Sequence, residues 1–172
     1  MSSEKSGYLL GLGSNIEPFE NFAQITTMLL ESFDNISMSR VLHIPPVGMN
    51  SQHYFLNAVA FIETDLKQDD LKYICNQIET ALGRDRDDPD SKHKDRPADL
   101  DILAYLAFPQ DATREASSIT DEYFLYPLID ELKAFLSGQA VPAVIQKGAV
   151  INTGDLTFGE TATTIYRNGN TG

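Results

Sequence analysis

The run Tyr54-Phe55-Leu56-Asn57-Ala58-Val59-Ala60-Phe61-Ile62-Glu63-Thr64 is the strongest strand signal in the chain, rich in aromatic and β-branched residues. What flanks it on both sides constrains the fold. Upstream, the short apolar run Gly7 to Leu12 reads as a buried strand that Gly13-Ser14-Asn15 breaks. Glu17-Pro18 then opens a helix in which Phe22, Ile25, Met28, Leu29 and Phe33 recur at helical spacing, and Asp34-Asn35 closes it. A second strand is expected over Ile36 to Leu42, its alternation interrupted at Arg40. A rigid turn at Pro45-Pro46-Val47-Gly48 and a loop from Met49 to His53 follow. Downstream, Leu66 to Leu82 is helical, with Leu71, Ile74, Cys75, Ile78 and Leu82 on one stripe and Gly83 at the C-cap position.

The order of these elements, closed by a strand over Ala98 to Tyr105, is strand, helix, strand, strand, helix, strand. That is an α+β arrangement of the split βαβ, ferredoxin-like sandwich type, with helices covering one face of an antiparallel-rich sheet. In such a topology the Gly13 end of the first strand can lie beside the last one. Beyond Tyr105 the patterns weaken. Phe108 to Ser118 reads as loop, Glu122 to Ser137 as helical pieces around Tyr126-Pro127, Val144 to Ile151 as a late strand, and Arg167 to Gly172 as a frayed end. A single domain is expected over 1–172, with C-terminal additions to a core of about 7–130.

Composition narrows the function classes. Hydrophobic content of 42% and 22% charged residues are ordinary globular values. A net charge of −12 argues against nucleic acid or an anionic membrane as partner, because nothing basic is large enough to track phosphates over a surface. Cys75 is the single cysteine, which excludes an intramolecular disulfide and fits a buried, inert thiol. The N-terminus shows no secretory apolar region and no run reaches transmembrane length, so a cytoplasmic enzyme or binding protein, monomeric, is expected.

The stretch Gly83 to Asp101 carries the densest chemistry. Arg84, Arg86 and Arg96 flank a run of acids, and the run ends on Asp99-Leu100-Asp101-Ile102. Strand alternation turns Leu100 and Ile102 to one face and Asp99 and Asp101 to the other. Carboxylates two residues apart on a strand stand roughly 6.5–7 Å apart at Cα and aim the same way. Such a pair suits Mg²⁺, which takes one or two carboxylates and completes its shell with water and phosphate oxygens. The arginines suit phosphates, which guanidinium forks grip bidentately. The plainer reading is a solvated charged loop followed by a strand with Asp on its outer face.

Three separated motifs agree on one family. Gly13-Ser14-Asn15 is the first, and Pro45-Pro46-Val47-Gly48 with Phe55-Leu56-Asn57-Ala58-Val59 the second. The third runs from Ile78-Glu79 through Leu82-Gly83-Arg84 and Arg86 to Arg96 and Asp99-Leu100-Asp101-Ile102-Leu103. Together they resemble 6-hydroxymethyl-7,8-dihydropterin pyrophosphokinase, from about Tyr8 to Tyr105 with a weaker echo at Tyr123 to Leu128. The resemblance implies an enzyme of folate synthesis that moves the pyrophosphate of ATP onto the hydroxymethyl group of a reduced pterin, leaving AMP. It implies Asp99 and Asp101 as ligands of two Mg²⁺ ions and Arg84 and Arg96 as catalytic phosphate clamps. Asn76, Glu79, Arg86 and Ile102 join Arg84 and Arg96 as nucleotide contacts. For the pterin it implies backbone contacts from Ile44, Pro45 and Val47, the side-chain amide of Asn57, and ring stacking by Phe55 and Tyr123. A flat heterocycle wants two aromatic faces and an amide offering both donor and acceptor to its edge.

The chain also departs from that pattern. It has no tryptophan, and His93-Lys94-Asp95-Arg96-Pro97-Ala98 stands where the family reads Trp-Gly-Pro-Arg-Thr-Leu. Arg114 is the one arginine between Phe108 and Glu122, and Asp121 falls near an expected arginine; Lys92, His93 and Lys94 are candidates to replace the missing cations. A second functional class therefore stands beside the first: a paralogue that binds a pterin without pyrophosphoryl transfer or with altered transfer. Residues Asp85 to Asp95 are expected to order over a bound nucleotide. Relief of repulsion in Asp99→Asn or Asp101→Asn is expected to raise stability slightly in the absence of Mg²⁺.

Overall fold

A computed structural model of the chain describes residues 4–44, 54–84, 97–141, 148–154 and 156–167. Strand β1 (Lys5–Ser14) leads into helix α1 (Pro18–Ser32), then come β2 (Asn35–Met38), β3 (Leu42–Ile44), β4 (Phe55–Glu63), helix α2 (Gln68–Ala81) and β5 (Asp99–Phe108). A 3-10 turn at Tyr123–Leu125 runs directly into helix α3 (Tyr126–Leu136), and three short strands follow: β6 (Ile151–Thr153), β7 (Leu156–Phe158) and β8 (Thr163–Tyr166). The sheet order is β5-β1-β4-β2-β8, with β3 also on β4 and every pairing antiparallel. Counting the broken β2–β3 segment as one strand, this is the ferredoxin-like order, extended at one edge by β8.

Alternation along β1 and β4 divides the apolar side chains between two cores. Leu10, Leu12, Leu56, Ala58, Ala60 and Ile62 face α1 and α2. Leu9, Val59 and Phe61 face α3, together with Leu106 and Phe108 of β5. A bulge in the β1–β5 register between Leu9 and Leu10 lets β5 serve both ends of this second face. Leu103, the extra residue, packs with Ala104 in the second core. Odd-numbered Asp99 and Asp101 precede the bulge, and even-numbered Leu106 and Phe108 follow it on the same face. Helices therefore cover both faces of the sheet, not one as the element order alone suggests.

The second strand expected over Ile36 to Leu42 is broken at Ser39-Arg40-Val41, because three different elements hold these residues out of the ladder. Ser39 donates its N–H to Val59 O at 3.0 Å, and its Oγ accepts from Val59 N–H at 3.0 Å. Arg40 N–H donates to Glu131 Oε1 of α3 at 3.0 Å. Val41 is clamped by the C-terminal segment, its N–H donating to Gly159 O at 2.8 Å and its carbonyl accepting from Ala149 N–H at 2.8 Å. That approach demands glycine at two places. A Cβ on Gly148 would lie 2.0 Å from Gly159 O; one on Gly159, where φ is +110°, would lie 2.2 Å from Ala149 O. Gly159→Ala is expected to destabilise the fold by about 2–3 kcal/mol. For a domain of this size that is a fall of about 2–4 °C in melting temperature per kcal/mol, measured by thermal unfolding. An unchanged melting temperature would show that the clamp contributes nothing.

Elsewhere the structure corrects the C-terminal reading. The segment Phe108 to Ser118 is not plain loop, since β5 runs through Phe108 and 3-10 turns form at Gln110–Thr113 and Ala116–Ser118. The late strand falls at Ile151–Thr153, and residues 144–147 of the expected one lie outside the described residues. Arg167 is anchored rather than frayed: its N–H bonds Asp34 O at 2.9 Å and its Nε bonds Leu30 O at 2.6 Å. Residues 168–172 lie outside the described residues, as do the turn at 45–48 and the loop at 85–95. No helix among the described residues is long and apolar enough to cross a membrane.

Candidate active site

Directly opposed residues in an antiparallel sheet present their side chains to the same face. Asp99 of β5 pairs with Gly13 of β1, Gly13 pairs with Asn57 of β4, and Asn57 pairs with Leu42 of β3. One row across the sheet therefore reads Asp99, Gly13, Asn57, Leu42, and Asp101 stands in the next row opposite Gly11. Glycine at the centre of the first row has a packing reason: a Cβ on Gly13 would sit 2.8 Å from Asn57 Oδ1. The Asn57 amide thus lies over the bare backbone of β1, on the side toward Asp99. With strands about 4.8 Å apart, Asn57 and Asp99 stand roughly 10 Å apart at Cα.

Leu42 at the end of this row packs against the second core, but the stretch from Asp99 to Asn57 lies beyond the reach of α3. The helix packs on Leu9, Val59, Phe61, Leu106 and Phe108, whereas Phe55, Asn57, Asp99 and Asp101 are half-buried, and Phe55 joins neither core. Half of the second face is thus covered by a helix, and the other half presents polar groups above a glycine floor. Leu100 and Ile102 pack into the first core, on the side away from the two carboxylates.

The end of α2 is bolted to β5 by charge. Glu79 is only 1% exposed; its Oε2 accepts from Leu100 N–H at 2.8 Å and from Arg84 Nη1 at 2.9 Å. Arg84 Nη1 also donates to Ala98 O at 3.2 Å and to Asp99 Oδ1 at 2.7 Å. The turn that brings Arg84 back passes through Gly83 at φ +99°, and Arg84 N–H returns to Glu79 O at 2.9 Å. The Arg84 side chain is more than nine-tenths buried, yet its Nε meets no acceptor among the described residues. The ion pair with Arg84 also revises the stability expectation for Asp99→Asn, since the change removes a favourable partner along with any repulsion.

Of the residues singled out from the sequence, Asp99, Asp101, Asn57 and Phe55 share the polar half of the second face, with Ile44 beside them as the pairing partner of Phe55. Tyr123 is 67% exposed on the 3-10 turn that packs against β4. Asn76 is half-buried on α2. Ile102 points to the opposite face, against the first core, and pairs with Leu10 of β1. Pro45, Val47, Arg86, Arg96, Lys92, His93 and Lys94 lie outside the described residues. The sequence assigns Glu79 a nucleotide contact by resemblance and places Gly13 in a motif beside the last strand without a site role. The first is buried and tied to β5, and the second is the floor of the row. The Gly13-Ser14-Asn15 break was the visible signal for the latter.

Asp99 and Asp101 project from one face two residues apart and could hold a divalent cation between them, with the remaining ligands coming from water or substrate oxygens. In the ligand-free fold Asp99 Oδ1 is engaged by Arg84 at 2.7 Å.

Residues 9–131 match the family model described as 7,8-dihydro-6-hydroxymethylpterin-pyrophosphokinase. A protein of Porphyromonas gingivalis named 2-amino-4-hydroxy-6-hydroxymethyldihydropteridine pyrophosphokinase is 33% identical over 103 residues, covering 59% of this chain and 70% of the relative. Proteins of the same name from Methylorubrum extorquens and Bacillus subtilis are 31% identical over 127 residues and 35% identical over 99 residues. The first match covers 69% of each chain, the second 56% of this chain and 58% of the relative. The matched span takes in the whole row from Asp99 to Asn57, both helices of the first core and the start of α3, so the chain belongs to the 7,8-dihydro-6-hydroxymethylpterin-pyrophosphokinase family.

Proposed function

We propose that the chain transfers the pyrophosphate of ATP to the hydroxymethyl group of 6-hydroxymethyl-7,8-dihydropterin, releasing AMP, as a step of folate biosynthesis. The observation that carries this reading is the row Asn57, Gly13, Asp99 on the polar half of the second face, with Asp101 beside it. It sets a bifunctional amide and a pair of carboxylates roughly 10 Å apart across a floor without a side chain. That spacing suits a heterocycle at one end and a phosphate chain at the other.

Asn57 offers both a donor and an acceptor to the edge of a pterin, and Phe55 and Tyr123 supply its two faces. The family resemblance adds backbone contacts from Ile44 and from Pro45 and Val47, the last two lying outside the described residues. The hydroxymethyl oxygen then points along the row toward Asp99, where it bonds the β-phosphorus of ATP as the bond from that phosphorus to the α,β-bridging oxygen breaks; AMP leaves with that oxygen, and the hydroxyl proton passes to solvent. Little covalent work falls to the protein in such a transfer; positioning and charge neutralisation do most of it. Asp99 and Asp101 would hold two Mg²⁺ ions, which would supply charge neutralisation at the phosphate oxygens. Arg84, Arg86 and Arg96 would grip the phosphates, and Asn76 and the Ile102 backbone would touch the nucleotide. The buried Arg84 Nε, lacking an acceptor among the described residues, supports an anionic ligand close by.

The direct test is AMP release from ATP in the presence of the reduced hydroxymethylpterin and Mg²⁺. Pterin-dependent AMP formation supports the proposal; pterin binding without AMP identifies the paralogue class instead. Asn57→Ala removes the amide while leaving the strand intact. It is expected to weaken pterin binding about tenfold to a hundredfold, equivalent to roughly 1–3 kcal/mol, with ATP binding unchanged. Calorimetric titration of each ligand separately reads both numbers.

A further inference from the structure

The mechanism uses neither Arg40 nor Glu131, yet the two form a buried ion pair. The side chains are 14% and 4% exposed, and Glu131 divides its oxygens between two atoms of one residue. Oε1 accepts from Arg40 backbone N–H at 3.0 Å and Oε2 from Arg40 Nε at 2.8 Å. A carboxylate that grips backbone and side chain of the same residue fixes that residue's orientation, not only its distance.

The position of the pair gives it a consequence. Arg40 lies in the break between β2 and β3, two residues before the strand that carries Ile44 to its place opposite Phe55. Glu131 lies on α3, the helix that grows out of the turn bearing Tyr123. Neither neighbour of Arg40 is attached to α3: Ser39 bonds β4, and Val41 bonds the C-terminal segment. We infer that the Arg40–Glu131 pair is a strut between the two walls of the pterin pocket, holding the β3–β4 wall with Ile44, Phe55 and Asn57 at a fixed spacing from the wall with Tyr123, and that it sets the affinity for the pterin. This rests on the pterin site proposed above. Arg40 and Glu131 are positioning residues that touch no substrate. A slot for a flat ring is sensitive to such a strut, because stacking on two faces is lost with small changes in wall separation.

The test is steady-state kinetics with both substrates varied, on the full chain. In Glu131→Gln the amide keeps one acceptor for two donors and turns an NH₂ group toward the other. The KM for the pterin is expected to rise about tenfold while that for ATP stays within twofold. Arg40→Lys retains the backbone bond and the charge, so its pterin KM is expected to stay within about threefold of the wild type. Arg40→Ala keeps only the backbone bond, and its pterin KM decides the matter where Glu131→Gln yields too little folded protein. A purely structural pair would lower the melting temperature and the active fraction without moving either KM. That result, or an equal rise in both KM values, overturns the strut. A wild-type chain that fails to bind the pterin overturns the site reading and the strut with it, whereas wild-type binding with unchanged variants overturns the strut alone.

Discussion

Asp101→Asn is expected to lower turnover by at least about 10³-fold, a loss of roughly 4 kcal/mol of transition-state stabilisation, while the protein stays folded. Asp101 projects from the face opposite Leu100 and Ile102, so the change leaves the first core untouched. Asp99→Asn is expected to lose turnover as severely and also to lose stability relative to the wild type. Its Oδ1 lies 2.7 Å from Arg84 Nη1, and an amide there keeps the hydrogen bond but surrenders its charge assistance, at a cost of about 1 kcal/mol. The two variants should therefore share a kinetic phenotype, and Asp99→Asn should melt about 2–4 °C below the wild type. Turnover within tenfold of the wild type at saturating Mg²⁺ in either variant would remove that carboxylate from the site.

The contrast between these two neighbours marks where the sequence is informative. Alternation alone puts Asp99 and Asp101 on one face and Leu100 and Ile102 on the other, because a strand has no other way to present them. The motif order places Asn57 and Gly13 in adjacent strands, and their register follows from a β1–β4 ladder without a shift. The bulge at Leu103 has no comparable mark, since every residue around it is apolar and fits either face. Without it Leu106 and Phe108 would face away from α3, and the division of the second face into a polar and a covered half would be lost. Strands β6, β7 and β8 were equally hard to see. Segments of three or four residues such as Thr163–Tyr166 carry too few alternations to register, and β8 is held by pairing with β2, far away in sequence. Arg40 showed only as an interruption; what interrupts the strand is Glu131, ninety-one residues later.

Glu79→Ala is expected to produce a large loss of stability, about 3–5 kcal/mol, because two charge-assisted bonds of a buried carboxylate are lost, the buried Leu100 N–H is left without its acceptor, and Arg84 keeps only Asp99 of its two carboxylate partners. Against a total of about 5–15 kcal/mol for a domain, that is enough to leave a substantial fraction unfolded at physiological temperature. Glu79→Gln is the more informative change, since its remaining oxygen still serves Leu100 N–H while the charge facing Arg84 is gone. It is expected to cost about 1–2 kcal/mol in denaturant unfolding. Its kinetic effect separates two roles. As a nucleotide contact, the residue would show itself in the KM for ATP. As the bolt between α2 and β5, it acts through Leu100, the residue between the two carboxylates, so loosening it shifts Asp99 and Asp101 relative to the row. With 1% of its surface exposed and one oxygen bonded both to Leu100 N–H and to Arg84, Glu79 fits the second role. The expected signature of Glu79→Gln is a fall in kcat of about tenfold to a hundredfold with the KM for ATP within twofold. A raised KM for ATP with kcat and stability both preserved would instead put the side chain on the nucleotide.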